Sequence, residues 1–329
     1  MNEWQSFLQS QTIQPLTPDN HLCALPGLGL LYVGGDDAAS FLQNQLSNDI
    51  NALDAGGCQF SSASTSKGRM YGIFRILKIE GGYILLMPRD ILPEVHQRLH
   101  KYILMAKVVM ANISDSFARF ALSVTDSNRL QGIDLPTDSN GVSQSESLIC
   151  LHLHGFDNNQ RWLCLSNDEN EAIALWRDLS RQLTINDESA FLHDEIRSAI
   201  PAVYTQTIES FVPQMANLDA LDGINFKKGC YPGQEIVART RYLGKLKRRM
   251  FLVECKTDIC PKPGDELSAD PSGKADGSGK VVHAAKSADN RCVMLFVGLI
   301  DKANNNELRL VAQPQIELTR LPMPYAVDA

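Results

Sequence analysis

Apolar residues follow both strand-like and helix-like spacings along the first 200 residues of the chain. The segment 27–35, "GLGLLYVGG", predicts a strand that ends in a glycine turn, and the segment 36–46, apolar at helical spacing after two aspartates, predicts a capped helix. The run "RMYGIFRILKI" and the run "YILLM", separated by Gly81-Gly82, predict a β-hairpin. Amphipathic helices are predicted over 167–183 and in "DESAFLHDEIRSAIPAV".

The pattern changes at residue 248. From there onward, short apolar runs alternate with turn clusters, which is typical of a small antiparallel β-barrel or sandwich. The preceding chain shows no regular alternation of strand and helix, so a doubly wound parallel sheet is not expected. The pattern therefore predicts an α+β protein whose antiparallel sheets are packed by helices, with a separate C-terminal β-barrel domain.

Composition and charge indicate the class of protein. With 44% hydrophobic and 21% charged residues the chain has the balance of an ordinary globular protein, and its net charge of −7 argues against general nucleic-acid binding. The N-terminal residues lack the basic start and following apolar run that would indicate a targeting segment. No apolar run reaches the roughly 20 residues that a membrane span needs. We therefore expect a cytoplasmic protein without membrane contact.

One of the eight cysteines lies in an unusual setting. None forms a CxxC pair, and most occupy apolar runs such as "LICLHL", where a cysteine acts as a small buried hydrophobe. Cys230 instead lies in "KKGCYPGQE", residues 227–235, between two lysines and a Pro-Gly turn. A helix that starts near Pro232 places the thiol close to a helix N-terminus and beside Lys227 and Lys228, where positive potential favours the nucleophilic thiolate.

Basic residues continue beyond this loop. Between residues 227 and 249, eight Lys and Arg side chains face one acid, Glu235, which gives a local charge of +7. Such a run is either a solvated helix face or a site for an anionic partner, such as RNA phosphates or a carboxylate-bearing small molecule. The residues expected to attract the anion are Arg239, Arg241, Lys247, Arg248 and Arg249.

The stretch "QMANLDALDGINFKKGCYPGQEIVAR" closely resembles the signature of the YgfZ family. Weaker similarity covers "GGDDAASFLQNQLSNDI", the Lys67-Gly68 turn and "KYILMAKV" (101–108). YgfZ proteins are relatives of the folate-dependent aminomethyltransferases of glycine cleavage, so the resemblance implies a three-domain, aminomethyltransferase-like ring around a central folate-binding channel. The motif residues are Lys228, Gly229, Cys230, Tyr231, Pro232, Gly233, Gln234 and Glu235.

The same resemblance implies a function and a division of the chain. The family maintains iron–sulfur enzymes, notably those that modify tRNA, with the motif cysteine as the key residue and tetrahydrofolate or a derivative as the bound cofactor. We expect a discontinuous folate-binding domain, 1–115 plus 195–244, that carries the cysteine loop, a second α+β domain over 116–194 and the barrel over 245–329. The expected form is a monomer, with folate, iron–sulfur enzymes and, as an alternative, tRNA itself as partners.

Two features depart from the pattern of the superfamily. The transferases carry a pair of aspartates that acts on the one-carbon group; this pair falls on Tyr71-Gly72, and no carboxylate occurs in residues 55–79. A folate-dependent one-carbon transferase is therefore kept only as an alternative. The tryptophans that family members can carry beside the folate fall on Leu28 and Phe191, of which only Phe191 keeps an aromatic stacking surface.

Each motif residue has an expected role. Lys228 and the loop backbone stabilise the thiolate, and Gly229 and Gly233 give the loop its shape. Gln234 and Glu235 anchor the helix that follows.

Other candidate sites are weaker. His152 and His154 alternate along one strand, but no third ligand lies at a fitting spacing, so no metal site is predicted. Cys255 and Cys260 are the remaining candidates for a disulfide or cluster with Cys230.

Overall fold

The computed structural model of the chain describes residues 3–16, 20–54, 56–126, 130, 135–138, 140–242, 244–287 and 290–327. Within these ranges the helices are α1 (Glu3–Gln9), α2 (Ala38–Gln45), α3 (Leu92–His100), α4 (Glu169–Leu179), α5 (Glu188–Arg197), α6 (Gln234–Tyr242) and α7 (Ile300–Asn304). The strands are β1 (His21–Ala24), β2 (Leu28–Gly34), β3 (Cys58–Ser64), β4 (Met70–Ile79), β5 (Gly82–Pro88), β6 (Val109–Asn112), β7 (Ala118–Val124), β8 (Val142–Gln144), β9 (Leu148–Leu153), β10 (Gln160–Ser166), β11 (Thr184–Asn186), β12 (Arg248–Lys256), β13 (Glu266–Ser268), β14 (Gly279–Lys286), β15 (Arg291–Leu299), β16 (Arg309–Leu310) and β17 (Thr319–Arg320).

The first sheet contains the hairpin that the sequence predicts. Its antiparallel order is β3-β4-β5-β2-β6, and β4 and β5 pair over the region from Arg75–Leu86 to Ile79–Gly82. Gly81 closes the turn with a φ of +79°, a left-handed conformation that glycine adopts without steric penalty. Most residues of both strands are buried, which explains why these two runs are apolar almost throughout.

The second sheet differs from the predicted division of the chain at the N-terminus. Its order is β11-β1-β7-β10-β9-β8, with β1 parallel to β11 and the other pairs antiparallel. β1 is therefore part of the sheet that the segment 116–194 forms. α1 packs on the same part of the structure, because the ring of Trp4 lies edge-on against that of Trp176 in α4, with 5.4 Å between centroids. The other domain boundaries stay predictions.

The C-terminal segment forms the third sheet. Its antiparallel order is β16-β13-β14-β15-β12-β17, and the sheet curls into a half-barrel. Phe251, Met294 and Phe296 belong to the apolar cluster inside it. The predicted α+β class, with antiparallel sheets packed by helices and a barrel-like C-terminal domain, is confirmed.

Two apolar clusters join the three sheets. One brings Leu86 of the first sheet together with Leu163 of the second, and the other brings Ile73 of the first sheet together with Leu295 of the third. α5 contributes residues to both clusters and so lies at the junction. No helix in the described ranges has the length and apolar character needed to cross a bilayer.

Candidate functional site

The cysteine loop is fixed at its start by an asparagine turn and at its end by α6. The Oδ1 atom of Asn225 accepts hydrogen bonds from the backbone N–H groups of Lys227, at 2.8 Å, and Lys228, at 3.1 Å. α6 begins at Gln234, close to the predicted position. Cys230, between these two ends, is exposed and belongs to no disulfide. The loop therefore presents its thiol to solvent.

Lys228 has a structural role that the sequence analysis missed. Only 8% of the residue is exposed, and all three protons of its ammonium group find acceptors at the end of α2, where helix carbonyls lack intrahelical partners. Burial lowers the pKa of Lys228 to about 8, against the opposing attraction of a nearby carboxylate. The side chain points into the protein and fastens the loop to α2. The three acceptors of Nζ are the carbonyl oxygens of Gln43 at 2.6 Å, Leu46 at 2.7 Å and Asn48 at 2.9 Å.

The two glycines of the motif differ. Gly233 has a φ of +83°, and a Cβ at this position would lie 2.6 Å from the carbonyl oxygen of Thr65 and 2.7 Å from the Cα of Gly68. The loop thus packs backbone against backbone on the turn that precedes β4. Gly229 is not left-handed, and a Cβ there would meet nothing within 4 Å. Of the two glycines expected to shape the loop, only Gly233 therefore adopts a conformation that requires glycine.

The remaining motif residues, Tyr231, Pro232, Gln234 and Glu235, lie next to Lys228 and Gly233. Tyr231 is buried, which raises the pKa of its phenol to about 12, and its ring centroid lies 5.2 Å from Nζ of Lys228. Pro232 is half-buried. Gln234 donates from Nε2 to the carbonyl of Lys228 at 3.4 Å, which links α6 to the loop. Glu235 is exposed in the first turn of α6, where the helix dipole favours a negative charge.

The predicted anion-binding residues do not share one environment. Arg239, Arg241 and Lys247 are exposed. Arg248 is half-buried and donates from Nη2 to the carbonyl of Gly277 at 2.8 Å.

Arg249 differs from the prediction because it is buried and paired. Its Nη1 and Nη2 atoms donate to the two carboxylate oxygens of Asp219 at 2.7 and 3.1 Å, and Nη1 also donates to the carbonyl of Gln214 at 3.1 Å. This ion pair fastens the segment before the cysteine loop to β12. An anion-binding role for Arg249 is therefore wrong, since its guanidinium is committed inside the protein.

A cavity of about 280 Å³ lies where the three sheets meet. Its walls are mostly apolar and come from the first sheet, β10, α5 and β14. Leu28 and Phe191, the two positions expected beside a folate, both line it. Cys230 does not, so the exposed thiol and the cavity are separate sites.

An ion-pair network forms one polar part of the cavity wall. The carboxylate of Glu195 accepts from Nη1 and Nη2 of Arg75 at 2.7 and 2.9 Å, and from Nη2 of Arg161 at 2.9 Å. Although burial favours the neutral acid, the two guanidinium groups hold the pKa of Glu195 below its usual value. Nε of Arg75 is buried and has no hydrogen-bond partner among the described residues. The network therefore leaves one donor unused.

Glu188 forms a second polar part of the wall. Its two carboxylate oxygens accept from the backbone N–H of Gly27 at 2.9 and 3.1 Å, which holds the turn before β2. Burial raises the pKa of Glu188 to about 6. This carboxylate therefore supports the cavity and changes its charge in mildly acidic solution.

Tyr71, where the transferases carry an aspartate, is part of the core. It is buried, with the guanidinium of Arg98 at 5.0 Å from its ring centroid, and burial raises the pKa of the phenol. It does not line the cavity. Three carboxylates do, Asp90, Glu188 and Glu195, and each already accepts hydrogen bonds from protein donors. These bonds hold the three carboxylates in place, and none of them lies at the position matched to the transferase aspartates.

The weaker candidates have other partners. Among the described residues no group of three or more His, Cys, Asp or Glu side chains is arranged to hold a metal ion. His152 stacks on a tryptophan ring, at 5.2 Å between centroids. Cys255 is buried opposite Cys292 in the β12–β15 pair, and Cys230, Cys255 and Cys260 are all free cysteines, so no disulfide joins Cys230 to either of the others.

Comparison with known proteins identifies the family. The chain matches no model of a protein family. It is 30% identical over 318 residues to the tRNA-modifying protein YgfZ of Photobacterium profundum, which covers 96% of this chain and 94% of that relative. The chain belongs to the YgfZ family. It is also 30% identical over 306 residues to the YgfZ protein of Edwardsiella ictaluri, with 91% and 90% covered.

The fold of this YgfZ family member is similar to that of a solved transferase. Glycine cleavage system aminomethyltransferase T from Bartonella henselae superposes with a TM-score of 0.65, over 97% of this chain and 87% of that one, at 13% identity. Both the family and the aminomethyltransferase-like architecture that the cysteine motif implied are therefore confirmed.

Proposed function

We propose that this YgfZ family member binds tetrahydrofolate or a derivative in the cavity and assists the formation or repair of iron–sulfur clusters in tRNA-modifying enzymes. The observation that carries the proposal is the cavity itself. It brings Leu28 and Phe191, which are 163 positions apart in the chain, onto the wall of one apolar space. A flat heteroaromatic ring is the kind of ligand that apolar and aromatic side chains enclose.

The polar groups of the cavity suit the edge of such a ring. A pteridine carries several donors and acceptors around an apolar face, and few fixed polar groups in an apolar pocket give orientation and specificity. The unused Nε donor of Arg75 and the carboxylate of Glu195 supply one donor and one acceptor beside each other. A volume of about 280 Å³ suits the ring, with the rest of a folate extending through the mouth.

Cys230 is the residue proposed to act on the partner enzymes. Its support is the exposure of the thiol together with the rigid frame around it, in which Lys228 and Gly233 fasten the loop from both sides. The relatives are named tRNA-modifying proteins, which favours tRNA-modifying enzymes as the clients. An exposed, fixed thiolate can ligate iron, or it can attack the outer sulfur of a partner's persulfide and take over that sulfur while the partner leaves as a thiolate; both uses need the cysteine itself.

The two sites can be tested against each other. Replacing Phe191 with alanine should weaken tetrahydrofolate binding, measured by calorimetry, about tenfold or more, since the stacking surface is lost. Cys230→Ser should leave that affinity unchanged and instead abolish the activity of a cluster-dependent tRNA-modifying enzyme in cells that lack the wild-type protein. Absence of folate binding by the wild-type protein, or full tRNA modification with Cys230→Ser, contradicts the proposal.

One-carbon transfer, the alternative reaction, lacks the aspartate of the transferases. Tyr71, the position matched to that aspartate, is a buried phenol that does not line the cavity. Incubation of the protein with tetrahydrofolate and a methylated amine is expected to release no formaldehyde and to form no methylene-folate. Steady turnover in this assay would favour the transferase instead.

Direct binding of tRNA is a second candidate, favoured by the surface around α6. Five cations are exposed there, and none forms an ion pair within the part of the chain that the structure describes: Lys227, Arg239, Arg241, Lys245 and Lys247. The guanidinium of Arg241 lies 5.2 Å from the ring centroid of Phe226, which packs against the 67% exposed Tyr242. Cations interleaved with exposed rings are typical of single-stranded RNA sites.

A charge reversal tests this candidate. Retardation of tRNA by the protein should weaken as salt rises, and the double variant R239E/R241E should lose it, because phosphate contacts are electrostatic. The matched control is K256E/K262E, which changes the same charge on exposed residues at the far end of β12 and beyond. No retardation at low salt, or equal loss in both variants, would end the RNA hypothesis.

A further inference from the structure

β14 contains an irregularity that decides where one of its side chains points. Val281 lies opposite Phe296 of β15. His283 lies opposite the next residue, Leu295. Val282, between them, is therefore the extra residue of a β-bulge, a feature that re-aims side chains and occurs often beside functional sites.

The bulge moves His283 from one face of the sheet to the other. Val281 belongs to the cluster inside the half-barrel, and strict alternation would place His283 on that same face. Because of the extra residue, His283 instead shares the face of Leu295, which packs in the cluster between the first and third sheets. On that face His283 lines the cavity, as the contribution of the third sheet to its wall.

His283 is buried with one ring nitrogen unsatisfied. Only 5% of the residue is exposed, and its ring stacks on that of Tyr204 with 4.9 Å between centroids. Nδ1 has no hydrogen-bond partner among the described residues. Burial lowers the pKa of His283 to about 4, against the attraction of Glu195, so the ring is neutral near pH 7 and carries one donor and one acceptor.

The neighbouring phenol favours one tautomer of the His283 ring. The hydroxyl of Tyr204 lies 3.5 Å from Nε2 of His283, at the outer limit of a hydrogen bond. An imidazole nitrogen accepts a hydrogen bond more readily than a phenol oxygen does, so Tyr204 donates and Nε2 accepts. The ring proton is then on Nδ1. A buried N–H without a partner is unfavourable, and because His283 lines the cavity, a ligand bound there is the candidate partner.

We infer that His283 is a specificity-determining residue of the cavity, whose Nδ1–H donates a hydrogen bond to a carbonyl oxygen on the ring of the ligand. The inference rests on the proposed function, because a 4-oxo-pteridine is a ring of this kind. It adds the residue that favours a 4-oxo ring over a 4-amino ring, since a 4-amino group needs the other tautomer of His283, in which Nε2–H donates to the poorer acceptor, the phenol oxygen of Tyr204.

The test compares two ligands within each variant. The dissociation constants of tetrahydrofolate and of its 4-amino analogue, tetrahydroaminopterin, are measured under reducing conditions. Wild type should favour the 4-oxo ligand about tenfold or more. His283→Phe keeps a planar ring without a donor and should bring the ratio close to one, whereas His283→Asn keeps an N–H donor and should retain part of the preference. A ratio in His283→Phe equal to that of wild type overturns the inference.

The outcomes separate this inference from the proposed function. If wild type binds neither ligand, the folate proposal itself fails and this inference falls with it. If wild type binds tetrahydrofolate but His283→Phe keeps the preference, only the role of His283 fails. Nitrogen-15 spectra of histidine in the unmodified protein give a readout that needs no variant: tetrahydrofolate should shift the Nδ1–H proton downfield, and an Nε2–H tautomer in the complex contradicts the inference.

Discussion

Removing the ammonium group of Lys228 should loosen the cysteine loop while leaving Cys230 in place. In Lys228→Met the side chain keeps an unbranched apolar stem but ends one atom earlier without the ammonium group, so the three carbonyl oxygens at the end of α2 lose their donor. Each such hydrogen bond contributes about 1 kcal/mol net, so the loss of three without replacement should cost about 3 kcal/mol. The cost falls on the contact between the loop and the end of α2, where the N–H of Asn225 also donates to the carbonyl of Ser47 at 3.0 Å but Lys228 supplies three bonds from one group.

Hydrogen exchange of backbone amides measures this local cost. A loss of about 3 kcal/mol corresponds to opening that is roughly 100-fold more frequent, so the amides of residues 225–231 should exchange about 100-fold faster in Lys228→Met. Lys228→Arg should restore only part of the protection, since a planar guanidinium cannot direct its donors at three converging carbonyls as an ammonium does.

The neighbouring lysine supplies the control. Lys227 carries the same charge one position earlier but is exposed, so Lys227→Met should change the exchange rates little. Equal exchange in the two methionine variants would refute the argument that buried ammonium–carbonyl bonds hold the loop. Activity that depends on Cys230 should also fall in Lys228→Met, because the loop that carries the thiol is loosened.

Three further changes test individual contacts by denaturant unfolding. Gly233→Ala should destabilise by about 2 kcal/mol or more, because its left-handed backbone and a close neighbouring chain exclude a Cβ, whereas Gly229→Ala should stay within about 0.5 kcal/mol; equal effects would contradict this. Arg249→Ala should cost about 3–5 kcal/mol by leaving Asp219 buried without its partner, and the loss should be partly recovered in the double alanine variant. Because burial raises the pKa of Glu188, the folded protein binds the carboxyl proton more tightly than the unfolded chain does. The contribution of Glu188 to the free energy of unfolding therefore falls as pH rises from 4.5 to about 6, by at most about 2 kcal/mol. Glu188→Gln should flatten this pH dependence, and an unchanged pH profile would count against the argument.

The sequence predicted those parts of the fold that local pattern determines. The β4–β5 hairpin follows from two apolar runs around a glycine pair, and α4 and α5 follow from helical periodicity after Asp168 and Asp187, whose side chains cap them. The cysteine motif led to the family because its eight residues are unusual in composition. β1 was harder to place, since a four-residue strand carries no signal for the sheet that it will join.

Charged residues were the main source of error. A lysine or arginine in a basic run predicts an exposed side chain, yet Lys228 and Arg249 are both buried and fully engaged. Lys228 donates to backbone carbonyls at the end of α2, and one of these acceptors, Asn48, lies 180 positions away along the chain. Arg249 donates to the carboxylate of Asp219, which lies 30 positions away. No local pattern contains this information, because the acceptors become neighbours only when the loop packs on the first and third sheets.

The cavity was predictable only through the two positions that the family resemblance supplied. Leu28 and Phe191 were expected there, but Arg75, Glu195 and His283 were not, since each comes from a different segment. His283 is the clearest case. A reading of β14 by strict alternation places it inside the half-barrel, and only the register against β15 shows the bulge that turns it toward the cavity.

β4 connects the two sites and also limits how they can act together. Its first end follows the turn at Gly68 against which Gly233 packs, and Ile73 and Arg75, further along, line the cavity. The five peptide steps from Gly68 to Ile73 span at most about 16 Å of extended chain. Under the proposed function, the thiol loop lies at one end of this segment and the folate ring at the other, so we expect the two sites to act in separate steps. The ligand would then influence the thiol through the sheet on which the loop is packed, and loss of either site should leave the binding or reactivity of the other measurable.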